Sequence, residues 1–473
     1  MKKVLFFLFG LLLLPINTSS QNNKLKHQFD LVTTKKILTT EIIKILKETG
    51  IPSISLSLFV GDKIVWSDAF GYTNVKKKVP ATNSTIYNTG SNFKFVTATA
   101  IMQLADAGKL KIDDPINKYL SKSTLNDFSH NGTPVTFRHL LSHHSGLKDI
   151  AFKNIPLWHK KESKTLVTIA SEISSETTPG TNFKYSNSSY ALAGLLIEKI
   201  SGMSYQDYIV KNILKPLQIK SDGPVEPTPR MVEELALPYK LENNKSIPEY
   251  QSNLDLFPAG DIYLTPNEMA HFYIAQLNQG FYKDTSILKQ ISIAEMHKPQ
   301  FGNNYGFGIG IINSNGIKYL QHAGEVPGFS TFFVADKNSK KGIYIAANAG
   351  ESYKVLGKIS NLALKLLSGE KRVKSLPSFA KKEFNEIKLT EKKLNKYTGK
   401  YQITPDFFIN ITQKGNRLFG QATGQNKFEL FAYGKDQFFL KVVYAQVHFN
   451  SQNDKITSLT FFQKGKTKGK KVE

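Results

Sequence analysis

Apolar positions change their spacing several times along the chain, and each change marks a predicted element. From Thr34 to Thr49 the residues Ile37, Leu38, Ile42, Ile45 and Leu46 recur at helical spacing, and Gly50 suits the C′ position of a helix. A hairpin follows: Ile54 to Val60 alternates partly with serine, Gly61-Asp62 turns, and Ile64 to Phe70 returns. From Ser91 to Ala107 almost no polar face is left, because Phe93, Phe95, Val96, Ala98, Ala100, Ile101, Met102, Leu104 and Ala105 point all round. A helix of that kind belongs at a domain centre, and Gly108 ends it. Further helical patterns cover Ser188 to Ile200, Tyr205 to Leu214, Pro266 to Asn278 and Tyr353 to Leu367. Strand patterns recur near Gly306 to Asn313, Thr331 to Ala335 and Gly342 to Ala347, and the last two could extend the hairpin's sheet. One helix, then antiparallel strands, then many helices predict a mixed α/β (α+β) domain rather than a doubly wound one.

The pattern shifts after Ser368. Glu370 to Lys393 is rich in charge, poor in apolar runs and carries Pro377, which reads as a linker. From Tyr397 to Phe462 only short strands recur, such as Phe408–Ile411, Phe428–Leu430, Gln437–Leu440 and Ser458–Phe461, separated by Gly, Asn or Asp turns. They suit a small antiparallel β-barrel or sandwich. No acid pair or histidine cluster lies there, so the domain reads as accessory. The run Lys464, Lys466, Lys468, Lys470 and Lys471, interleaved with glycine, reads as a floppy tail. The expected division is a signal peptide over 1–20, a catalytic domain over 21–368, a linker over 369–393 and an all-β domain over 394–473.

Length supports two domains, since 473 residues exceed one ordinary core. With 40% hydrophobic and 21% charged residues the chain is of ordinary globular composition. The absence of cysteine excludes a disulfide framework, a lipoprotein anchor and a thiol nucleophile. Lys2 and Lys3, the apolar run Val4 to Leu14, Pro15, and small Thr18 and Ser20 ahead of Gln21 form the pattern of a secretory signal. The alternative is an uncleaved anchor. The expectation is an exported protein, periplasmic or secreted, and not integral to the membrane once the signal is removed. The net charge of +24 favours anionic surfaces such as envelope polymers, lipid headgroups or nucleic acid. Because the lysines are spread along the chain, a solvated basic surface accounts for the charge, and no nucleic-acid partner is expected.

Three short motifs carry candidate chemistry. Ser91-Asn92-Phe93-Lys94 follows Gly90 and opens the apolar helix, so the two side chains three apart share a face. A serine hydroxyl needs a base to take its proton, and a lysine can be that base if burial lowers its pKa. Four other Ser-x-x-Lys matches occur, beginning at Ser145, Ser286, Ser368 and Ser378. For a bare match of this kind, a capping serine beside a snorkelling lysine is the plainer reading. Tyr185-Ser186-Asn187 offers a phenol for proton relay and a carboxamide for a lysine or a substrate amide, although Tyr72-Thr73-Asn74 matches too. His322-Ala323-Gly324 offers an imidazole to orient a polar substrate group, with further matches at His130 and His144.

In this order, and with landmarks such as Asp113-Asp114-Pro115, Leu140 to Leu147 and Pro258-Ala259-Gly260, the chain resembles the serine β-lactamase and penicillin-binding superfamily. The likeness is to its class C-like branch of β-lactamases, D-alanyl-D-alanine peptidases and esterases, over about residues 30–368. It implies an antiparallel sheet flanked by helices with an all-helical cluster. It also implies a serine acyl-enzyme without cofactor or metal, acting on a small molecule or a cell-wall peptide. By the same resemblance Ser91, Lys94 and Tyr185 would be catalytic and Asn187 would hold Lys94 and the substrate. His322 and Gly324 would lie along the substrate, the amides of Ser91 and Glu325 would form the oxyanion hole, and His143 would be structural. The motif departs from the branch's usual Lys-Thr-Gly: Ala323 has no hydroxyl for a substrate carboxylate. That favours an ester or another D-amino acid derivative over a β-lactam. The alternative is a catalytically idle envelope-binding protein that keeps the fold.

Overall fold

The computed structural model describes residues 29–120, 126–150, 155–156, 164–220, 229–249, 252–253, 257–370, 373–379, 384–441, 445–462 and 466–473. The predicted signal over 1–20 lies outside the described residues. The chain divides into two units, Met1–Ser378 and Phe379–Glu473.

In the first unit, helix α1 (Leu31–Thr49) starts before the predicted Thr34. The Asp30 carboxylate caps it, accepting from the N–H groups of Val32 at 2.9 Å and Thr33 at 3.1 Å. Gly50 ends it in the left-handed region, φ 75°. The hairpin forms as β1 (Ser53–Val60) and β2 (Lys63–Asn74), followed by the short β3 (Val79–Pro80). Helices α2 (Lys94–Asp106), α3 (Asn187–Ser201) and α4 (Pro266–Leu277) come next. Strands β4 (Gly310–Ser314), β5 (Ile317–Val326), β6 (Phe329–Asp336) and β7 (Lys341–Ala347) and helix α5 (Tyr353–Leu367) complete the unit's main frame. The sheet runs β4-β5-β6-β7-β1-β2-β3, antiparallel throughout.

The partial serine alternation of β1 marks two buried faces rather than one wet face. Ser53 and Ser55 place Oγ at 3.0 and 2.7 Å from the Tyr87 hydroxyl, and Ser57 donates to Asn267 Oδ1 of α4 at 2.5 Å. Polar groups on a covered strand face thus have the partners burial demands. Helix α5 packs on β6 and β7 with α1 against it, while α4 packs on β1 and β7. Helix α2 is sheathed by α3 and by the short helix Tyr205–Ile209, the helical cluster expected around an all-apolar helix. The strand predicted over Gly306 to Asn313 begins only at Gly310. Gly308 takes φ 74° and lies so near the first turn of α2 that a Cβ there would sit 2.8 Å from Phe95 Cα.

The second unit is a closed eight-stranded antiparallel barrel beside a short helix α6 (Glu391–Asn395). Its strands are β8 (Gly399–Thr404), β9 (Phe407–Lys414), β10 (Arg417–Ala422), β11 (Phe428–Gly434), β12 (Gln437–Leu440), β13 (Ala445–Gln452), β14 (Lys455–Phe462) and β15 (Lys466–Lys471). From Lys466 to Lys471 the lysine run expected as a floppy tail is therefore the closing strand, and Lys464 lies outside the described residues. β15 pairs with β14 from Ser458↔Lys470 to Phe462↔Lys466, and with β8 at Tyr401↔Lys471. The lysines 466, 468 and 470 alternate with Thr467 and Gly469, and a Cβ on Gly469 would meet Tyr401 Cβ at 3.3 Å. Gly469 is small because the barrel wall is close there, and no apolar residue announces the strand.

Candidate active site

Ser91 lies in a 3-10 turn, Gly90–Phe93, and α2 begins at Lys94 rather than at Ser91. In a 3-10 turn residues three apart eclipse, which brings Lys94 Nζ to 3.0 Å from Ser91 Oγ. Glycines let neighbouring backbones crowd this turn. A Cβ on Gly90 would sit 2.8 Å from the Glu325 amide nitrogen, and one on Gly260 would sit 2.7 Å from the Ser91 amide nitrogen. Asn92 fixes the turn from beneath, donating to Thr331 Oγ1 at 2.8 Å and accepting from Tyr273 Oη at 2.7 Å.

Lys94 is fully buried. Besides Ser91 its Nζ meets Asn187 Oδ1 at 2.7 Å and the Ala259 carbonyl at 2.5 Å. Burial is the main influence and lowers its pKa to about 7, with the Asp149 charge pulling the other way. A neutral lysine has two N–H bonds and one lone pair. Asn187 Oδ1 and Ala259 O can only accept, so they take the two N–H bonds and the lone pair is left for the Ser91 hydroxyl.

Tyr185-Ser186-Asn187 enters α3 with Ser186 as N-cap. Asp149 clamps this segment: its carboxylate accepts from the Ser186 hydroxyl at 2.8 Å and from the N–H groups of Ser188 at 2.9 Å and Asn187 at 3.3 Å. Tyr185 shows 39% of its surface to solvent, yet its hydroxyl end is enclosed and hydrogen-bonded to Ser91. Burial pushes this phenol well above its ordinary value of 10.0, with the Ser91 bond opposing. Lys94 Nζ stands 5.0 Å from the Tyr185 ring centre.

His322 sits on β5, buried, at the end of a hydrogen-bond chain. The Ser186 N–H donates to His143 Nδ1 at 3.1 Å, so His143 Nε2 carries the proton and faces Tyr305 Oη at 3.2 Å. Tyr305 in turn donates to His322 Nε2 at 2.9 Å, and His322 Nδ1–H donates to the Ala323 carbonyl at 2.7 Å. Both ring nitrogens of His322 are thus occupied within the protein. Burial, then the nearby Lys94, lowers its pKa to about 4, and burial holds His143 well below its ordinary value. Gly324 is packed so tightly that a Cβ would meet Thr89 O at 2.3 Å. The Glu325 side chain leaves the site on the other strand face. It accepts from Ser330 Oγ at 2.9 Å and from the Glu351 N–H, and burial raises its pKa to about 7.

The structure brings together Ser91, Lys94, Tyr185 and Asn187, with His322, Gly324 and Glu325 along the adjoining strand. Sequence reasoning missed three contributors: Asp149, Tyr305 and the Ala259 carbonyl. Pro258-Ala259-Gly260 and the segment ending at Leu147 were visible as landmarks, but nothing local shows that a main-chain oxygen faces Lys94 or that Asp149 turns back on α3. Competing matches lie elsewhere. Ser145 Oγ bonds Ser189 Oγ at 2.8 Å inside the helical cluster, and Tyr72 is exposed on β2.

The Beta-lactamase family model matches residues 38–364, and the family described as a domain of unknown function (DUF3471) matches residues 385–472. Penicillin-binding protein 4* of Bacillus subtilis (strain 168) is 25% identical over 428 residues, covering 86% of this chain and 91% of that protein. The octameric penicillin-binding protein homologue from Pyrococcus abyssi superposes with a TM-score of 0.63 at 25% identity, over 92% of this chain and 99% of that one. The D-amino acid amidase from Ochrobactrum anthropi SV3, complexed with D-phenylalanine, shares the fold with a TM-score of 0.57 at 24% identity, over 71% and 99% of the two chains.

Proposed function

The chain belongs to the beta-lactamase family and is a serine hydrolase, and on that premise we propose that it cleaves an ester or a D-amino acid amide through an acyl-enzyme on Ser91. The observation that carries this reading is the neutral-poised Lys94, whose lone pair is left for the Ser91 hydroxyl. Two groups could take the serine proton, and their shifts separate them. Lys94 falls to about 7 while the Tyr185 phenol rises, so Lys94 is the base at neutral pH and Tyr185 stays protonated.

Ser91 Oγ attacks the substrate carbonyl carbon as Lys94 receives its proton. The amides of Ser91 and Glu325 face the developing oxyanion. Collapse breaks the bond to the alcohol or amine, which takes a proton through Tyr185. Water enters, gives a proton back through the same pair, and releases the acid and free Ser91. Asn187 fixes the lysine and meets the substrate's amide.

The third motif argues about substrate. Ala323 offers no hydroxyl, and His322 is neutral with both nitrogens engaged. No cation therefore meets a free substrate carboxylate from this strand position. Purified protein assayed on p-nitrophenyl esters, D-amino acid amides and nitrocefin, with Ser91→Ala as control, tests the reading. Ester or amide turnover above nitrocefin turnover is expected, and the reverse ranking overturns it. A second part of the proposal is export: the segment 1–20 is removed before Gln21. An intact Met1 on protein recovered from the native envelope would overturn that part.

A further inference from the structure

The barrel of the second unit is only half filled. Toward one end Tyr397, Tyr401, Phe438 and Phe449 pack ring against ring. Toward the other end a cavity of about 460 Å³ remains, walled by Phe407, Ile409, Phe428, Leu440 and Phe461. These are inward positions of four strands, β9, β11, β12 and β14. The space exists because β10 contributes only Gly420 and Ala422 there, and a Cβ on Gly420 would have nothing nearer than 3.5 Å. Protein interiors are close-packed, with few voids larger than a water molecule. An eight-stranded barrel has room either for side chains alone or for one small ligand. Apolar cavities of this size take apolar guests.

We propose that this barrel is a binding site for a single acyl chain carrying an anionic head. The cavity wall is apolar apart from Gln425 and Thr467. Lys427, Lys441 and Lys466 each stand next in sequence to a wall residue at this end of the barrel, as Asp406 does, and Lys441 pairs with Glu386 and lies 3.8 Å from the Phe431 ring centre. The chain would lie against the aromatic and branched wall, and the head would meet the lysine rim.

Calorimetric titration of the full-length protein with octanoate, decanoate and dodecanoate tests the site. One saturable site is expected, tightening about fourfold per added methylene. Gly420→Leu and Ala422→Phe fill the cavity and should each weaken dodecanoate at least about tenfold. The absence of saturable binding, or unchanged binding in both folded variants, overturns the proposal. A second measurement does not depend on those variants folding. Both tryptophans, Trp66 and Trp158, precede the barrel, so brominated dodecanoate should quench a Phe461→Trp variant and spare the wild type. Equal quenching of the two overturns the site. Phosphatidylglycerol vesicles separate the sources: association lost in Gly420→Leu assigns a lipid chain, and dodecanoate binding without vesicle association assigns a free fatty acid.

Discussion

Around Lys94 the interior is crowded and polar, with three partners on one amine and glycines admitting neighbouring backbones. Inside the barrel, between Ile409 and Phe461, the interior is apolar and open. Both regions read in the sequence as apolar periodicity ending at glycines. The difference lies in what the small residues do. Gly90, Gly260 and Gly324 are small because another backbone occupies the place of their side chains. Gly420 and Ala422 are small beside empty space. Small residues in a pattern therefore mark either the closest approach in a fold or a vacancy, and only the neighbours decide which.

The largest expected effect lies at the crowded pole. Lys94→Ala should lower kcat on a p-nitrophenyl ester by about 10²–10⁴-fold while the protein stays folded; activity within twofold of wild type would remove lysine as the base. The comparison itself is tested by one substitution made in both interiors. Gly194→Ala on α3 drives a Cβ to 2.2 Å from Pro258 Cγ, behind the Ala259 carbonyl, and should cost about 1–3 kcal/mol in denaturant unfolding. The pH profile comes next. Only neutral Lys94 accepts a proton, and its pKa is about 7. So kcat/KM should rise with pH, about tenfold between pH 6 and pH 8. A flat profile over that range would assign the base to another group. Ala323→Thr supplies the hydroxyl this motif lacks and should raise nitrocefin turnover relative to ester by up to about tenfold, the upper end of the about 0.5–1.5 kcal/mol a hydrogen bond contributes. The smallest effect is at the open pole: Gly420→Ala should leave stability unchanged or raise it by up to about 1 kcal/mol. A cost equal to that of Gly194→Ala would show the barrel to be as tightly filled as the site.

Much of this was legible along the chain. Ser91 and Lys94 stood out because a Ser-x-x-Lys at the mouth of an all-apolar helix puts a cation where burial must neutralise it. The hairpin, α2, α3, α4 and α5 followed from spacing alone. Asp149 and Tyr305 were not legible, because they act through folding back across many residues and share no local pattern with what they hold. The 3-10 turn at Gly90–Phe93 was also hidden, since residues three apart share a face in either helix type. Strand β15 was misread for a chemical reason: lysine, threonine and glycine score as tail, while its register against β14 uses exactly two-residue alternation. Inward and outward positions of the barrel were clear from period, but period carries no volume, so its hollow end was invisible.

The closing of the barrel by β15 also bears on how this unit is made. Tyr401 waits for Lys471, and Lys400 exchanges hydrogen bonds with Val472 and Glu473 at 2.8 and 3.0 Å. Contacts so distant in sequence form late and slow folding. Until they form, β8 and β14 are two bare edges, each a template for pairing with another chain. A cut or an extension near residue 466 would therefore act first on yield and aggregation during synthesis, well before any change reached the chemistry at Ser91.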